Sequence, residues 1–544
     1  MKLPALGLFI IAPIASAQLL PIHIVHHFDR NARSVAPLTL GADGNLYGTT
    51  QGGGGADWGT VFRLTPGGTF TTLVNFAGPN TPNGSTPYSV GLVADGAGNL
   101  YGTTEYSQDY GNGTVFKMTL AGNLTTLVSF HGTNGANPRG LTVAPDGTLY
   151  GTTVTGTNYY GTVFKITADG GFTTLANFPA DYGSVPANIT LGTDGHLYGR
   201  TYRGGTAQGA IFRVTTNGAL TTLGPLFGQI DSYSTALTLG NDGNFYGTTY
   251  SGGSGGRGTA FRLTPQGAVT TLVNFHLTNG AFPAGPLTLG ADGNFYGTTL
   301  QGDAGGGTVF RMTPAGELTT LAKFTSPATG EAPHGGVTFG TDGSLYGTTA
   351  YGGTTDGGLI FRVDLPPTIG SHPGSRTNAV GTSATFSVTA AGTLPLRYQW
   401  LKNGIALVDG GNVSGTSTST LTLASVQQGD AGEFAVVVTN NFGSVTSFVA
   451  LLTVSVDMDG DGVMDDADEC PNTAPGAVVD EHGCSIQQRV PCAGPRVGAT
   501  WKNHGQYVSA LVNILSEWLE RGVISEAQAE EILQEGARSN CGKR

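Results

Sequence analysis

The sequence predicts a mainly β protein: a seven-bladed β-propeller, then a β-sandwich, a short acidic loop segment and a small helical hairpin. Three observations predict it. The stretch Gly44-Asn45-Leu46-Tyr47-Gly48-Thr49-Thr50 returns six more times, with its tyrosine at Tyr101, Tyr150, Tyr198, Tyr246, Tyr296 and Tyr346, and a regular recurrence of this kind marks a repeat architecture. Glycine is abundant, 89 of 544 residues, while charged residues make up only 11%, a balance that suits short strands joined by tight turns. The repeat stops at Pro366-Pro367, and all four cysteines lie beyond residue 469.

Composition narrows the function classes. A hydrophobic content of 39% with so little charge argues against disorder. A net charge of -12 argues against nucleic acid and anionic membrane surfaces, which favour a basic face.

Residues 1–17 read as a signal peptide. Lys2 is a short basic start, Leu6 to Ile14 an apolar stretch, and Ala15-Ser16-Ala17 a small-residue cleavage site. The mature chain is expected to begin at Gln18, without a transmembrane anchor, and to be secreted or held at the surface of a bacterial cell.

Residues 18–365 carry the repeat. One full copy reads Leu38-Thr39-Leu40-Gly41, Asp43-Gly44, Leu46 to Thr50, a Gly-rich loop, Gly59 to Thr65, a Pro66-Gly67-Gly68 turn, then Thr69 to Phe76. These are four short runs of β-branched and aromatic residues separated by turns whose glycines supply positive φ. Seven copies of four antiparallel strands predict seven blades. A Thr-Thr-Leu run marks the fourth strand of six copies, and the seventh stops after Phe361-Arg362-Val363 without it. Aligning Phe28 with Phe76 sets Val25 on Leu73 and Ile22 on Phe70, so residues 22–28 are expected to supply the missing strand and close blade seven.

In this order of strands the longer loops share one edge, where binding residues usually sit. Aromatics on them are Trp58, Tyr106, Tyr110, Tyr159, Tyr160, Tyr202, Tyr250 and Tyr351. They read either as packing between repeats or as a stacking platform for a sugar or peptide. The basic residue after each repeat phenylalanine, from Arg63 to Arg362, points away from the buried ring, toward solvent or an ion pair.

Across roughly residues 36–363 the Gly-x-Leu-Tyr-Gly-Thr-Thr and Gly-Thr-Val-Phe-Lys/Arg motifs resemble the Gloeobacter/Verrucomicrobia ("GloVer") tandem-repeat family. The resemblance implies an exported surface protein and does not specify an activity.

Residues 366–455 carry alternating runs that predict the β-sandwich. Tyr398-Gln399-Trp400-Leu401 and Asp430-Ala431-Gly432-Glu433-Phe434 resemble the core strand and the corner of an immunoglobulin-like domain. Val388 and Val436 stand where that family places its bridging cysteines, so packing must hold this sandwich. The expected role is spacer or adhesion.

Residues 456–488 hold the strongest site signal. Asp457, Asp459, Asp461, Asp465 and Asp468 fall at positions 1, 3, 5, 9 and 12 of a loop with Gly462 at position 6, the ligand spacing of a calcium loop. Five close carboxylates repel one another unless a cation sits among them. The continuation Glu469-Cys470-Pro471-Asn472-Thr473 to Gly483-Cys484 resembles a thrombospondin type 3 repeat, here in a single copy. That resemblance implies Ca²⁺ on the five aspartates and a Cys470–Cys484 bridge.

Residues 489–544 predict two helices. Val508, Leu511, Val512, Leu515 and Leu519 recur at helical spacing, Gly522 ends the first helix, and Ser525-Glu526 opens the second with Ala529, Ile532 and Leu533 on one face. The four cysteines permit three pairings, and local spacing favours Cys470–Cys484 and Cys492–Cys541. His504 reads either as a site residue or as a contact of the entry loop.

The histidines are scattered, and neither a nucleophile elbow nor a phosphate loop is present. The sequence thus reads as a non-enzymatic, monomeric binding or adhesion protein, with the long-loop edge meeting a glycan or protein ligand on a cell surface or in a matrix, and a calcium-stiffened stalk. The alternatives are a carbohydrate-active enzyme, glycosidase or lyase, and a purely structural surface component. Asp57, Glu105, Asp109, Arg203, Arg257, Asp303 and Asp356 are the charged residues from which an enzyme would draw.

Overall fold

A computed structural model describes residues 19–32, 36–79, 81–87, 91–107, 111–156, 160–179, 184–203, 209–225, 236–325, 327–465, 467–495 and 499–543. The segment read as a signal peptide lies outside them. The chain forms two compact parts. One takes in the described residues up to Gly370 with 390–396 and 439–444, and the other the remainder.

In the first part each repeat makes its own antiparallel sheet. In the first repeat β2 (Thr39–Leu40), β3 (Leu46–Thr50), β4 (Thr60–Leu64) and β5 (Phe70–Asn75) lie side by side in chain order. Seven such sheets are present among the described residues, five of four strands and two of five. The seventh takes its outer strand from the other end of the chain. β1 (Ile22–His27) pairs antiparallel with Leu359–Val363. In the first sheet Phe62 faces Thr72 and Val61 faces Val74, which leaves Leu73 as a bulge; Val25 is left over in the same way between Ile24 and His26.

The seven-bladed β-propeller expected from the repeat is corrected here. The strand ladder of each sheet ends at its outermost strand, and no sheet is closed or curled. The class shown is mainly β, with separate four- and five-stranded antiparallel sheets and a few helices. The physical reason is that the strand-to-strand hydrogen bonds run within each sheet. No continuous ladder links one repeat to the next; side-chain contacts and single loop bonds do, as where Thr39 Oγ1 donates to Leu92 O at 2.6 Å and Thr238 Oγ1 to Leu287 O at 2.6 Å.

The repeat motif follows from this packing. Leu46 and its equivalents Leu100, Leu197 and Phe245 are buried. The tyrosine hydroxyl donates to the turn aspartate, as Tyr47 does to Asp43 at 2.7 Å. The glycine lies under a phenylalanine ring. A β-carbon on Gly297 would stand 2.6 Å from Phe310 Cζ and 2.9 Å from Leu287 Cδ2. The second threonine meets the threonine of Gly-Thr-Val-Phe, with Thr50 and Thr60 hydroxyls 2.8 Å apart and Thr299 and Thr308 2.7 Å apart, both buried. A hydroxyl pair of this kind satisfies two polar groups that burial would otherwise penalise.

The second part holds a six-stranded and a three-stranded sheet over its first portion. Trp400, Phe386, Phe434, Val388 and Val436 are buried there, and the Trp400 indole donates to Thr418 O at 2.9 Å. The last portion carries α1 (Ile486–Arg489), α2 (His504–Glu520) and α3 (Glu526–Arg538). Asn503 caps α2 by accepting from Gln506 N, and Ser525 caps α3 by accepting from Gln528 N. The buried face of α2 is Tyr507, Leu511, Leu515 and Trp518, whereas Val512 and Leu519 are exposed. The sequence pattern placed those two residues one position off the true face. Disulfides join Cys470 to Cys484 and Cys492 to Cys541.

Candidate functional site

Two places in the described residues carry binding chemistry. The first is the acidic loop. Asp457, Asp459 and Asp461 bring carboxylate oxygens within 4.8 Å of one another. The loop is preshaped by its own backbone. Asp457 accepts from Gly460 N at 2.8 Å and Gly462 N at 3.0 Å, and Asp465 accepts from Met458 N at 2.8 Å. Asp459 Oδ2 also accepts from Thr473 N at 2.6 Å, which ties the loop to the segment between the cysteines. Asp468 accepts from Cys470 N at 2.7 Å. A β-carbon on Gly483 would collide with Asp468 Oδ1 and stand 3.1 Å from Asp461 Oδ2, so both carboxylates converge above this glycine.

Asp461 Oδ2 is buried and accepts no hydrogen bond. A buried carboxylate oxygen in that state calls for a cation or water. The donors gathered here are all hard oxygens, the set that Ca²⁺ takes. The residues therefore fit the ion, which would offset the repulsion among the carboxylates.

The second place is the edge of the repeat sheets where the longer loops lie. Trp58 is 37% exposed, Tyr106 39% and Tyr351 56%. Tyr250 packs on Phe282 with ring centroids 5.1 Å apart, and Tyr160 packs against the cluster that contains Phe178 and Phe212. Tyr110 and Tyr159 lie outside the described residues, as does the side chain of Tyr202. Sequence reasoning missed Phe282, Thr86 and Asn137 on this edge. The signal that could have found them is the proline that follows each, Pro87, Pro138 and Pro283, which stand 14, 12 and 13 residues before the tyrosine of the next copy.

The charged residues kept as possible catalytic groups are engaged locally. Asp57 accepts from Gly53 N and Asp356 from Gly352 N, each at 2.8 Å within its own turn. Asp303 pairs with Lys323 at 2.8 Å. Arg257 lies over the Phe282 ring at 5.7 Å. Burial pushes the Glu105 carboxyl up, and Arg139 opposes the shift. Asp109 and the side chain of Arg203 lie outside the described residues. His504 is a structural contact: its ring nitrogens stand 2.8 Å from Cys541 O and 2.9 Å from Ala537 O.

The basic residue after each phenylalanine does not run free into solvent. Arg262 faces Tyr246 across the strand pair, and its side chain reaches the phenol that donates to Asp242. An aspartate, a tyrosine and an arginine therefore form one polar string in a repeat.

A family model described as the Gloeobacter/Verrucomicrobia repeat matches residues 13–208 and 204–420, well over half of the chain. The chain belongs to the Gloeobacter/Verrucomicrobia repeat family. Among curated proteins it is similar to cartilage intermediate layer protein 2 of Mus musculus, 37% identical over 89 residues, and to hemicentin-1 of Homo sapiens, 36% identical over 104 residues. These matches cover 16% and 19% of this chain, and only 7% and 2% of the relatives' lengths. Among solved structures it is similar to an I-band fragment of titin, 33% identical, covering 17% of this chain and 33% of that one at a TM-score of 0.16. Titin M4 is 26% identical, covering 17% of this chain and 97% of that one at a TM-score of 0.16. No helix among the described residues is long and apolar enough to cross a membrane.

Proposed function

We propose that this member of the Gloeobacter/Verrucomicrobia repeat family is an extracellular, non-enzymatic adhesion or structural protein. The long-loop edge of its repeats is the recognition surface, and a Ca²⁺ ion held by Asp457, Asp459, Asp461, Asp465 and Asp468 stiffens the segment that follows. The working divisions of the proposal are a signal peptide over 1–17, repeats to 365, a β-sandwich over 366–455, the acidic segment over 456–488 and the helical segment over 489–544.

The observation that carries this reading is the contrast between frame and edge. The same buried leucine, tyrosine, glycine and threonines recur in the sheets, while the loops at one edge differ from repeat to repeat and expose Trp58, Tyr106 and Tyr351. Variable groups on a fixed scaffold are how a binding surface is built. Two disulfides favour an oxidising, extracytoplasmic setting. The similarity to a protein named for a layer of cartilage points the same way.

The test is retention of beads coated with the mature chain on a bacterial biofilm matrix, in calcium and in chelator. Retention above albumin-coated beads in calcium, reduced by chelator, is the expected result. Retention no better than albumin overturns adhesion. Release of reducing ends from matrix polysaccharide by the purified chain overturns the non-enzymatic reading.

A further inference from the structure

At five junctions between consecutive repeats the same contact recurs among the described residues. Pro87, Pro138, Pro186, Pro283 and Pro333 each pack on the glycine that precedes the third strand of the repeat before. A β-carbon on Gly59, Gly113, Gly161, Gly258 or Gly307 would stand 2.5, 2.7, 2.6, 2.7 or 2.8 Å from the proline Cδ. At four of these junctions the residue before the proline donates its N–H to the carbonyl of the residue before that glycine: Thr86 to Trp58, Asn137 to Asn112 and Phe282 to Arg257, each at 2.8 Å, and Ala332 to Gly306 at 3.1 Å.

These four donors carry φ values of 54°, 54°, 59° and 51° for Thr86, Asn137, Phe282 and Ala332. Left-handed backbone is costly for a residue with a β-carbon, and the position before a proline adds a steric penalty. Glycine would remove the strain. This chain has 89 glycines and places them at positive φ throughout its turns, yet it sets threonine, asparagine and phenylalanine here. Strain kept where a relaxed residue is freely used indicates that the side chain is needed.

The bond makes two loop residues neighbours at each of these junctions. The backbone of Trp58 meets that of Thr86 and the backbone of Asn112 that of Asn137, while the Arg257 side chain lies over the Phe282 ring with Tyr250 beside it. All are at least partly exposed. Gly306 with Ala332 is the blank of the series.

We propose that these junctions are the subsites of the recognition surface, and that their ligand is a neutral polysaccharide; this rests on the adhesion reading above. Partly exposed aromatic rings take the C–H face of a sugar ring, and amides and a hydroxyl take its hydroxyls. The one cation in the set, Arg257, is spent on an aromatic ring, and the chain's net charge of -12 disfavours an anionic ligand. Subsites that recur at one repeat after another suit a polymer of repeating residues.

The test is affinity electrophoresis of the full mature chain through gels holding dextran, mannan or hydroxyethyl cellulose, with heparin and alginate as anionic probes. Trp58→Ala, Asn137→Gly and Phe282→Gly are run beside the parent. Retardation by at least one neutral polymer, weakened about tenfold by Trp58→Ala or Phe282→Gly, is expected. The two glycine variants should melt no lower than the parent, because glycine relaxes the left-handed backbone. Binding unchanged in all three variants, binding to the anionic polymers alone, or no binding to any neutral polymer overturns the inference. If coated beads still adhere in that case, the adhesion reading stands without it; if they do not, both fall.

Discussion

Tyr246 donates its phenol hydrogen to Asp242 Oδ2 at 2.8 Å, and Asn244 donates to the same oxygen at 2.7 Å. The pair closes the Asp-Gly turn onto the second strand of its sheet. Tyr47, Tyr101, Tyr198, Tyr296 and Tyr346 make the same bond to Asp43, Asp95, Asp194, Asp292 and Asp342. Tyr246→Phe should therefore destabilise the repeat region by about 1 kcal/mol, the usual worth of one such bond. Urea denaturation followed by tyrosine and tryptophan fluorescence checks it. No shift in midpoint would mean that the bond only orients the turn.

The same pairs set an alkaline limit. Burial, then the hydrogen bond to aspartate, pushes Tyr47, Tyr101, Tyr198 and Tyr246 up to about 12. A group whose folded pKa is raised contributes stability that is present below the unfolded pKa and lost as pH rises through the folded value. Melting temperature should hold to about pH 10 and fall between about pH 10 and 12. On the acid side, burial opposes but the hydrogen bonds of Asn244 and Tyr246 outweigh it, and Asp242 is held below the usual carboxylate range. That contribution is present above the unfolded pKa of about 4 and is lost below it.

Gly297→Ala should cost about 1–3 kcal/mol or prevent folding, since the new methyl meets Phe310 and Leu287 in a packed core. Gly55→Ala is the control. Its β-carbon would meet nothing within 4 Å, and its melting temperature should match the parent. Equal losses in both variants would show that packing against Phe310 and Leu287 does not select the motif glycine.

Calorimetric titration of the mature chain with Ca²⁺ should show saturable binding that Asp459→Ala with Asp461→Ala abolishes. Gly483→Ala should weaken it, because a methyl there displaces Asp468 and crowds Asp461 Oδ2. Binding unchanged in the double variant would place the ion elsewhere.

Removing residues 18–28 should expose the edge of Leu359–Val363 and lower the melting temperature by several degrees. It takes away β1, the bulge at Val25 and the buried ring of Phe28, which packs 5.4 Å from Phe62 in the first sheet. A truncated chain that melts with the parent would show that β1 is dispensable.

The sequence alone determined what depends on neighbours along the chain. Alternation and turn glycines set the strands of each repeat, the missing Thr-Thr-Leu in the seventh copy pointed to residues 22–28, and aspartates two apart around Gly462 drew an oxygen-lined loop. These signals are local, because strand period and turn chemistry act over a few residues. Only the tertiary structure decided the rest. It ended each ladder within its own sheet where a propeller was expected, turned Tyr507 and Trp518 inward on α2 in place of Val512 and Leu519, and joined arginine, tyrosine and aspartate across paired strands. It also laid Pro283 on Gly258 and left Phe282 strained between them. Such contacts join residues that register and packing bring together from different strands or different repeats, and no pattern along a single strand records them.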